Sequence, residues 1–175
     1  TFAGADHLMG DVMSSTILKE RDTCYSCTVR CKRVVETEFA GQKVLPTYGG
    51  PEYETIATMG SYCGVDDLNA VALANQICNM YGLDTIACGA TISFAMECFE
   101  HGLLTLEDTD GIDLRFGNAA AVVAMVEKIA RREGLGEQID ARVGHGGGEG
   151  AQQGGGTDQI ADLRGELCLH QQVLS

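Results

Sequence analysis

Asp66-Asp67-Leu68-Asn69-Ala70-Val71-Ala72-Leu73-Ala74-Asn75-Gln76-Ile77-Cys78-Asn79-Met80-Tyr81-Gly82-Leu83-Asp84 is the stretch that decides the fold. Its positions Leu68, Val71, Ala74 or Asn75, Cys78 and Tyr81 keep the 3–4 spacing of one face of an α-helix. Asp66 or Asp67 supplies an N-cap, and Gly82 stands at the C′ position where a left-handed residue stops a helix. Gly82-Leu83-Asp84 is then a tight loop, and a second helix runs from about Thr85 to Glu100, with Gly102 as its stop. Small residues on it (Ala87, Gly89, Ala90, Ser93, Ala95) leave room for another backbone or a ligand to come close. Asn118 caps a third helix, Ala119 to Arg132, ended by Gly134. Helices near 66–81, 86–101 and 118–132 define an all-α, multihelical chain.

Working outward, residues 104–117 read as a polar loop with Asp-Gly turns, and Thr55–Cys63 as a short helix closed by Gly64. Thr47 to Glu54 is a loop by its glycines and proline, and Val34–Phe39 with Gly41 is a strand-like excursion and turn. Met9 to Glu20 is open between a short helix and an extended lead-in. Eight of the thirteen residues from Gly144 to Gly156 are Gly, a composition that raises chain entropy and opposes packing. The expected division is a helical domain over 1–143 and a flexible or aberrant tail over 144–175.

The 175 residues are 45% hydrophobic with no Trp and two Pro, which suits helices and one real core. A net charge of −13 argues against a nucleic-acid surface, which needs a basic face. No apolar run approaches the length of a membrane span. Eight Cys with no secretory segment point to a reducing compartment, here the cytoplasm. A first residue of Thr rather than Met reads as a start inside a longer protein.

Cys24-Tyr-Ser-Cys27-Thr-Val-Arg-Cys31-Lys32-Arg33 places three thiols within eight residues, at x2 and x3 spacing. Thiolates brought to one centre suit an iron–sulfur cluster or zinc. Arg30, Lys32 and Arg33 would offset the negative charge of a cluster. Three ligands are one short of the usual four, so the fourth is elsewhere or outside this chain. The sulfurs are expected to face one small volume. Three ordinary thiols on a turn are the plainer alternative.

From Cys24 to about Gly136 the chain resembles the aldehyde ferredoxin oxidoreductase family of tungsten-pterin enzymes. The resemblance rests on Cys24-Tyr-Ser-Cys27-x3-Cys31-Lys-Arg-Val-Val, Gly49-Gly-Pro-Glu-Tyr-Glu-Thr55 and Cys63-Gly-Val-Asp-Asp-Leu68. It continues through Tyr81-Gly-Leu-Asp-Thr-Ile86, Gly89-Ala-Thr-Ile-Ser-Phe-Ala-Met-Glu97, Arg115-Phe-Gly-Asn118 and Ile129-Ala-Arg-Arg-Glu-Gly134. Each word is weak alone, and the ordered set is specific. It implies the helical part that follows the family's N-terminal pterin-holding domain.

The resemblance implies that Cys24, Cys27 and Cys31 are three of four ligands to a [4Fe-4S] cluster, with the fourth beyond Ser175. It implies that Glu54 stands beside a tungsten (or molybdenum) bis-pterin. Asn79-x-x-Gly82-Leu83-Asp84 matches a pterin-contacting motif whose first residue is often Asp, so Asn79, Gly82, Leu83 and Asp84 are the implied cofactor contacts. The family's active-site His falls after the end of the chain, which leaves His101, His145 and His170 without that role. Cys63, Cys78, Cys88, Cys98 and Cys168 read as packing thiols. The implied activity is oxidation of an aldehyde to a carboxylic acid, with ferredoxin as electron acceptor, in a chain that can be homo-oligomeric; relatives also act on aromatic thioesters. Glu54 is then a general base toward water, or, more plainly, a carboxylate at a helix N-terminus. Asp84 is an N-cap that can also meet a ligand. The competing classes are a small iron–sulfur electron carrier and a structural zinc-binding helical module. Because pterin and cluster must exchange electrons, Glu54 and the Gly82–Asp84 loop are expected to approach each other, with Cys24–Cys31 along the same wall.

Overall fold

The structure, a computed structural model, describes residues 2–140. A 3-10 turn (Ala3–Leu8) leads into α1 (Gly10–Thr16), and β1 (Leu18–Asp22) pairs antiparallel with β2 (Lys32–Val35). Met9 to Glu20 is therefore both helix and extended strand in succession. A second hairpin, β3 (Thr37–Phe39) and β4 (Gln42–Val44), follows at once and forms its own two-stranded sheet. Pro46–Tyr48 makes one 3-10 turn.

Helix α2 opens as Tyr53–Thr55 and continues with π-type winding over Ile56–Ser61. The three long helices come next: α3 (Leu68–Tyr81), α4 (Thr85–Glu100) and α5 (Ala119–Arg131). Among the described residues, a last turn of helix, α6 (Leu135–Asp140), packs on α5. The multihelical class expected from periodicity is found, with the three helices within a residue or two of their expected bounds. The two hairpins are additions at its N-terminal side, and Val34–Phe39 contributes to both. The Gly-rich stretch and the domain boundary at 143 lie outside the described residues.

Each long helix is bounded by the side chains its sequence provides. Asp67 Oδ1 accepts from the Asn69 and Ala70 amides at 2.8 and 3.3 Å. Asp66 is not the cap; it pairs with His7 Nδ1 at 2.9 Å. Gly82 takes φ 71°, and the Leu83 amide donates back to Cys78 O at 2.9 Å, closing the last turn. Asn118 Oδ1 accepts from the Ala121 amide at 3.2 Å. The end of α5 falls one residue early, because Arg132 itself turns left-handed at φ 55°.

The core lies where α3, α5 and the π-wound part of α2 meet α4. Leu73, Ile92, Met96, Leu114, Met125 and Ile129 are fully buried there, each contributing roughly 1.5–3 kcal/mol relative to exposure. The other side of α3 packs on β3 and β4. It is fastened by polar links: Thr37 Oγ1 to Asn69 Oδ1 at 2.6 Å, and the Leu45 amide to Gln76 Oε1 at 2.6 Å.

Candidate functional site

Three short segments carry the residues singled out by sequence, and hydrogen bonds bring them together. The first is the loop between β1 and β2, which holds Cys24, Cys27 and Cys31. The second is Tyr48 to Thr55, ending at Glu54 in the first turn of α2. The third is the α3–α4 turn, Asn79 to Thr85.

Between the first and second segments the contact is backbone on backbone. The Val35 amide on β2 donates to Gly49 O at 3.2 Å. A Cβ on Gly50 would lie 2.8 Å from Arg33 O and 2.9 Å from Val35 Cγ1, so only glycine lets this loop lie flat on the strand that leaves Cys31. Between the second and third, Asn79 Nδ2 donates to Tyr48 O at 3.0 Å. Thr55 Oγ1 and Thr85 Oγ1, adjacent in sequence to Glu54 and Asp84, share a hydrogen bond of 2.8 Å. The expected approach of Glu54 to the Gly82–Asp84 loop is found through the Thr55–Thr85 pair, and β2, the strand that leaves the cysteine loop, packs on Gly49 and Gly50 of the second segment.

Glu54 is exposed, and no hydrogen bond or ion pair among the described residues engages its carboxylate. Asn79, Gly82 and Asp84 are exposed as well. Asp84 Oδ1 caps α4 by accepting from the Ala87 amide at 2.7 Å. Leu83 differs from its neighbours: it is 8% exposed, and its side chain belongs to the core. Tyr53, Met80, Tyr81 and Ile86 leave apolar surface exposed along the same segments.

The cysteine loop is exposed throughout, with Cys27 half-buried and Tyr25 at its tip fully exposed. Its shape comes from a turn in which the Cys27 amide donates to Cys24 O at 3.1 Å. Left-handed residues at Ser26 and Arg30 bend it further. The Thr23 hydroxyl donates to Cys27 O, and Arg30 reaches back to Arg21 O at 2.9 Å. Among the described residues, however, no three His, Cys, Asp or Glu side chains are gathered so as to hold a metal ion. The three thiols share the loop without the expected convergence of their sulfurs. Thr23 and Arg30 close this loop through main-chain oxygens, and neither bond draws the thiols inward.

The donor chemistry separates these cysteines from the rest. All seven described cysteines are free, and Cys63, Cys78, Cys88 and Cys98 are buried. Burial pushes the Cys63 thiol up to about 12. Burial and then the nearby Glu97 raise Cys98 to about 11. A hydrogen bond with Cys78, followed by burial, raises Cys88 further. Thiols held neutral in this way are poor metal ligands. The loop thiols are the ones that solvent and an iron–sulfur cluster can reach, and in number and type they fit three cluster ligands.

Basic residues crowd this hairpin. Lys19, Arg21, Arg30, Lys32 and Arg33 are five of the chain's twelve Lys and Arg, alongside Glu20 and Asp22 of its 25 Asp and Glu. Lys32 Nζ lies 3.6 Å from Asp22. Arg33 Nε is buried and has no hydrogen-bond partner among the described residues. Two features escaped sequence reading: the π-type winding of α2 and the Thr55–Thr85 pair. The small residues of α4 were the available sign of close packing, and at Gly89 the backbone of Thr58 does come close.

A family model described as "Aldehyde ferredoxin oxidoreductase, domains 2 & 3" matches residues 1–165. The tungsten-containing aldehyde ferredoxin oxidoreductase of Pyrococcus furiosus is 37% identical over 134 residues, covering 74% of this chain and 21% of the relative. That of Thermococcus kodakarensis is 37% identical over 142 residues, covering 79% and 22%. The WOR-like subunit of aliphatic sulfonate oxidoreductase from P. furiosus is 29% identical over 122 residues, covering 70% and 19%. The chain therefore spans about a fifth of the length of the relatives it matches. A solved structure, the active site complex BamBC of Benzoyl Coenzyme A reductase in complex with 1,5 Dienoyl-CoA, shares the fold. Its TM-score is 0.58 at 19% identity, over 86% of this chain and 21% of that one.

Proposed function

The chain belongs to the aldehyde ferredoxin oxidoreductase family, and from that premise we propose that it is part of a tungsten- (or molybdenum-) pterin enzyme that oxidises aldehydes to carboxylic acids. Its electrons leave through a [4Fe-4S] cluster to ferredoxin, and the enzyme works in the cytoplasm. The observation that supports this reading is the junction of the Glu54 turn with the Asn79–Asp84 turn, beside the strand β2 that leaves the cysteine loop.

When bound, the metal–pterin supplies two-electron oxidation and the cluster supplies one-electron exit. The residues of this chain do the rest. Cys24, Cys27 and Cys31 would hold the cluster, with Arg30 and Lys32 beside it to balance its charge. Asn79 spends one N–H on Tyr48 O and keeps its amide oxygen and second N–H for the pterin. Asp84 caps α4 through Oδ1, which fixes the turn that Gly82 opens against the cofactor. Glu54, unengaged by other side chains among the described residues, accepts the proton of the water that adds to the aldehyde carbon. The exposed apolar surface of Tyr53, Tyr81 and Ile86 would exclude bulk water once covered, strengthening that proton transfer.

The test is Glu54→Gln in the full-length enzyme loaded with metal and cluster. Aldehyde turnover should vanish while the visible absorbance of the cluster is retained. Cys27→Ser should instead remove that absorbance. Normal turnover in Glu54→Gln would reduce Glu54 to a helix-terminus carboxylate.

A further inference from the structure

Among the described residues Glu54 has no side-chain partner, so its aim is set by the backbone of its own turn. That turn is tied to the α3–α4 turn by a hydroxyl pair. Thr55 is 4% exposed, and its Oγ1 lies 2.8 Å from Thr85 Oγ1. Each threonine directly follows a candidate site residue, Glu54 in one case and Asp84 in the other.

Thr58, one turn along, reinforces the seam. Its Oγ1 is 3.0 Å from Glu54 O and 3.4 Å from Thr85 O. The first contact is the ordinary bond of a helical Thr to the carbonyl four residues back; the second crosses to α4. Gly89 makes the crossing possible, since a Cβ there would stand 2.8 Å from the Thr58 carbonyl carbon, Cβ and Oγ1. Two helices therefore touch at backbone distance immediately beneath Glu54.

We infer that Thr55 and Thr85 are positioning residues, whose hydroxyl pair fixes the spacing between Glu54 and the Gly82–Asp84 turn. The inference rests on the reading of Glu54 as the base. Stability alone does not call for hydroxyls here. Thr55 is buried and Thr85 half-buried, and replacing both members of such a pair with apolar groups of the same shape is nearly neutral in stability. What a hydrogen bond adds is one fixed length and register. That matters where a carboxylate with no other support must meet a reacting water, since a displacement of about 1 Å costs roughly a hundredfold in rate.

The experiment uses the full-length holoenzyme carrying Thr55→Val, Thr85→Val, the double variant, and Ser at each position. The Val variants should lose about 10- to 100-fold in kcat with KM held within about twofold. Ser should restore most of the rate, and the double variant should be no slower than the slower single. In the metal-free protein, amide hydrogen exchange over residues 54–58 and 84–88 should speed up in the Val variants and not in the Ser variants. Normal turnover in Thr85→Val beside an inactive Glu54→Gln would overturn the positioning role and leave the Glu54 reading standing. A loss that Ser fails to restore, or unchanged exchange in the Val variants, would overturn it too. Should Glu54→Gln turn over normally, the base assignment fails, and the exchange data still decide whether the hydroxyl pair holds the two turns.

Discussion

Cys24 and Cys31 face solvent while Cys63, Cys78, Cys88 and Cys98 are enclosed, and this difference sets their chemistry. Attack by an alkylating reagent needs the thiolate. At mildly alkaline pH, Cys63 (raised to about 12) and Cys98 (raised to about 11) stay protonated as well as shielded. Iodoacetamide labelling of the native cluster-free protein, mapped by mass spectrometry, should therefore mark Cys24, Cys27 and Cys31 first. Labelling of Cys63 and Cys98 should wait for denaturant. Early labelling of Cys63 would mean that the thiol is not held in the core. The x2/x3 spacing led to the expectation of converging sulfurs, which the described loop does not show. It did not reveal how the loop would close, because main-chain oxygens of Cys27 and Arg21 do that work, and every residue carries one.

At the scale of elements, α3, α4 and α5 were readable from both ends, because apolar periodicity and cap residues agree at Asp67, Gly82, Asp84 and Asn118. The hairpins were harder. β1 reads Leu-Lys-Glu-Arg-Asp and presents no buried face to generate an alternating pattern. The winding of α2 was illegible for a different reason: it is shaped by contacts distant in sequence. Gly60 leaves space for Leu8, whose Cδ1 would be 2.7 Å from an added Cβ, and Thr58 sits in the notch of Gly89. Gly89→Ala tests this seam. Ala gains about 1 kcal/mol in helix propensity, but the new methyl meets Thr58 backbone at 2.8 Å, and overpacking of this kind costs about 1–3 kcal/mol. The substitution should lower stability in urea unfolding. A gain would show that α2 and α4 can separate freely.

For the whole molecule, acid is the informative perturbation. Hydrogen bonds hold the carboxyls of Asp22 (from the Thr23 amide), Asp108 (from Thr105), Asp110 (from Lys128) and Asp113 (from Arg115) below their ordinary values. Groups lowered on folding stabilise the protein above their unfolded values, and that contribution is lost as pH falls through the folded ones. Against this, the repulsion of a −13 chain relaxes as pH approaches its pI near 4.5. The melting temperature should accordingly hold or rise from neutrality to about pH 5 and drop below about pH 4. A steady fall beginning near neutrality would contradict this balance. At this scale the sequence disclosed the site only through its family resemblance. Glu54 and Asp84 lie thirty residues apart, and the groups that join them, the Tyr48 carbonyl and two threonine hydroxyls, follow no period. The basic β1–β2 hairpin has one more effect. A strongly anionic body with a cationic projection is an electric dipole, so a negatively charged molecule is repelled over most of the surface and turned toward the cysteine loop as it diffuses in. Such steering reaches about 10 Å at 0.1 M salt and shrinks as salt is added, which ties the frequency of productive encounters to ionic strength.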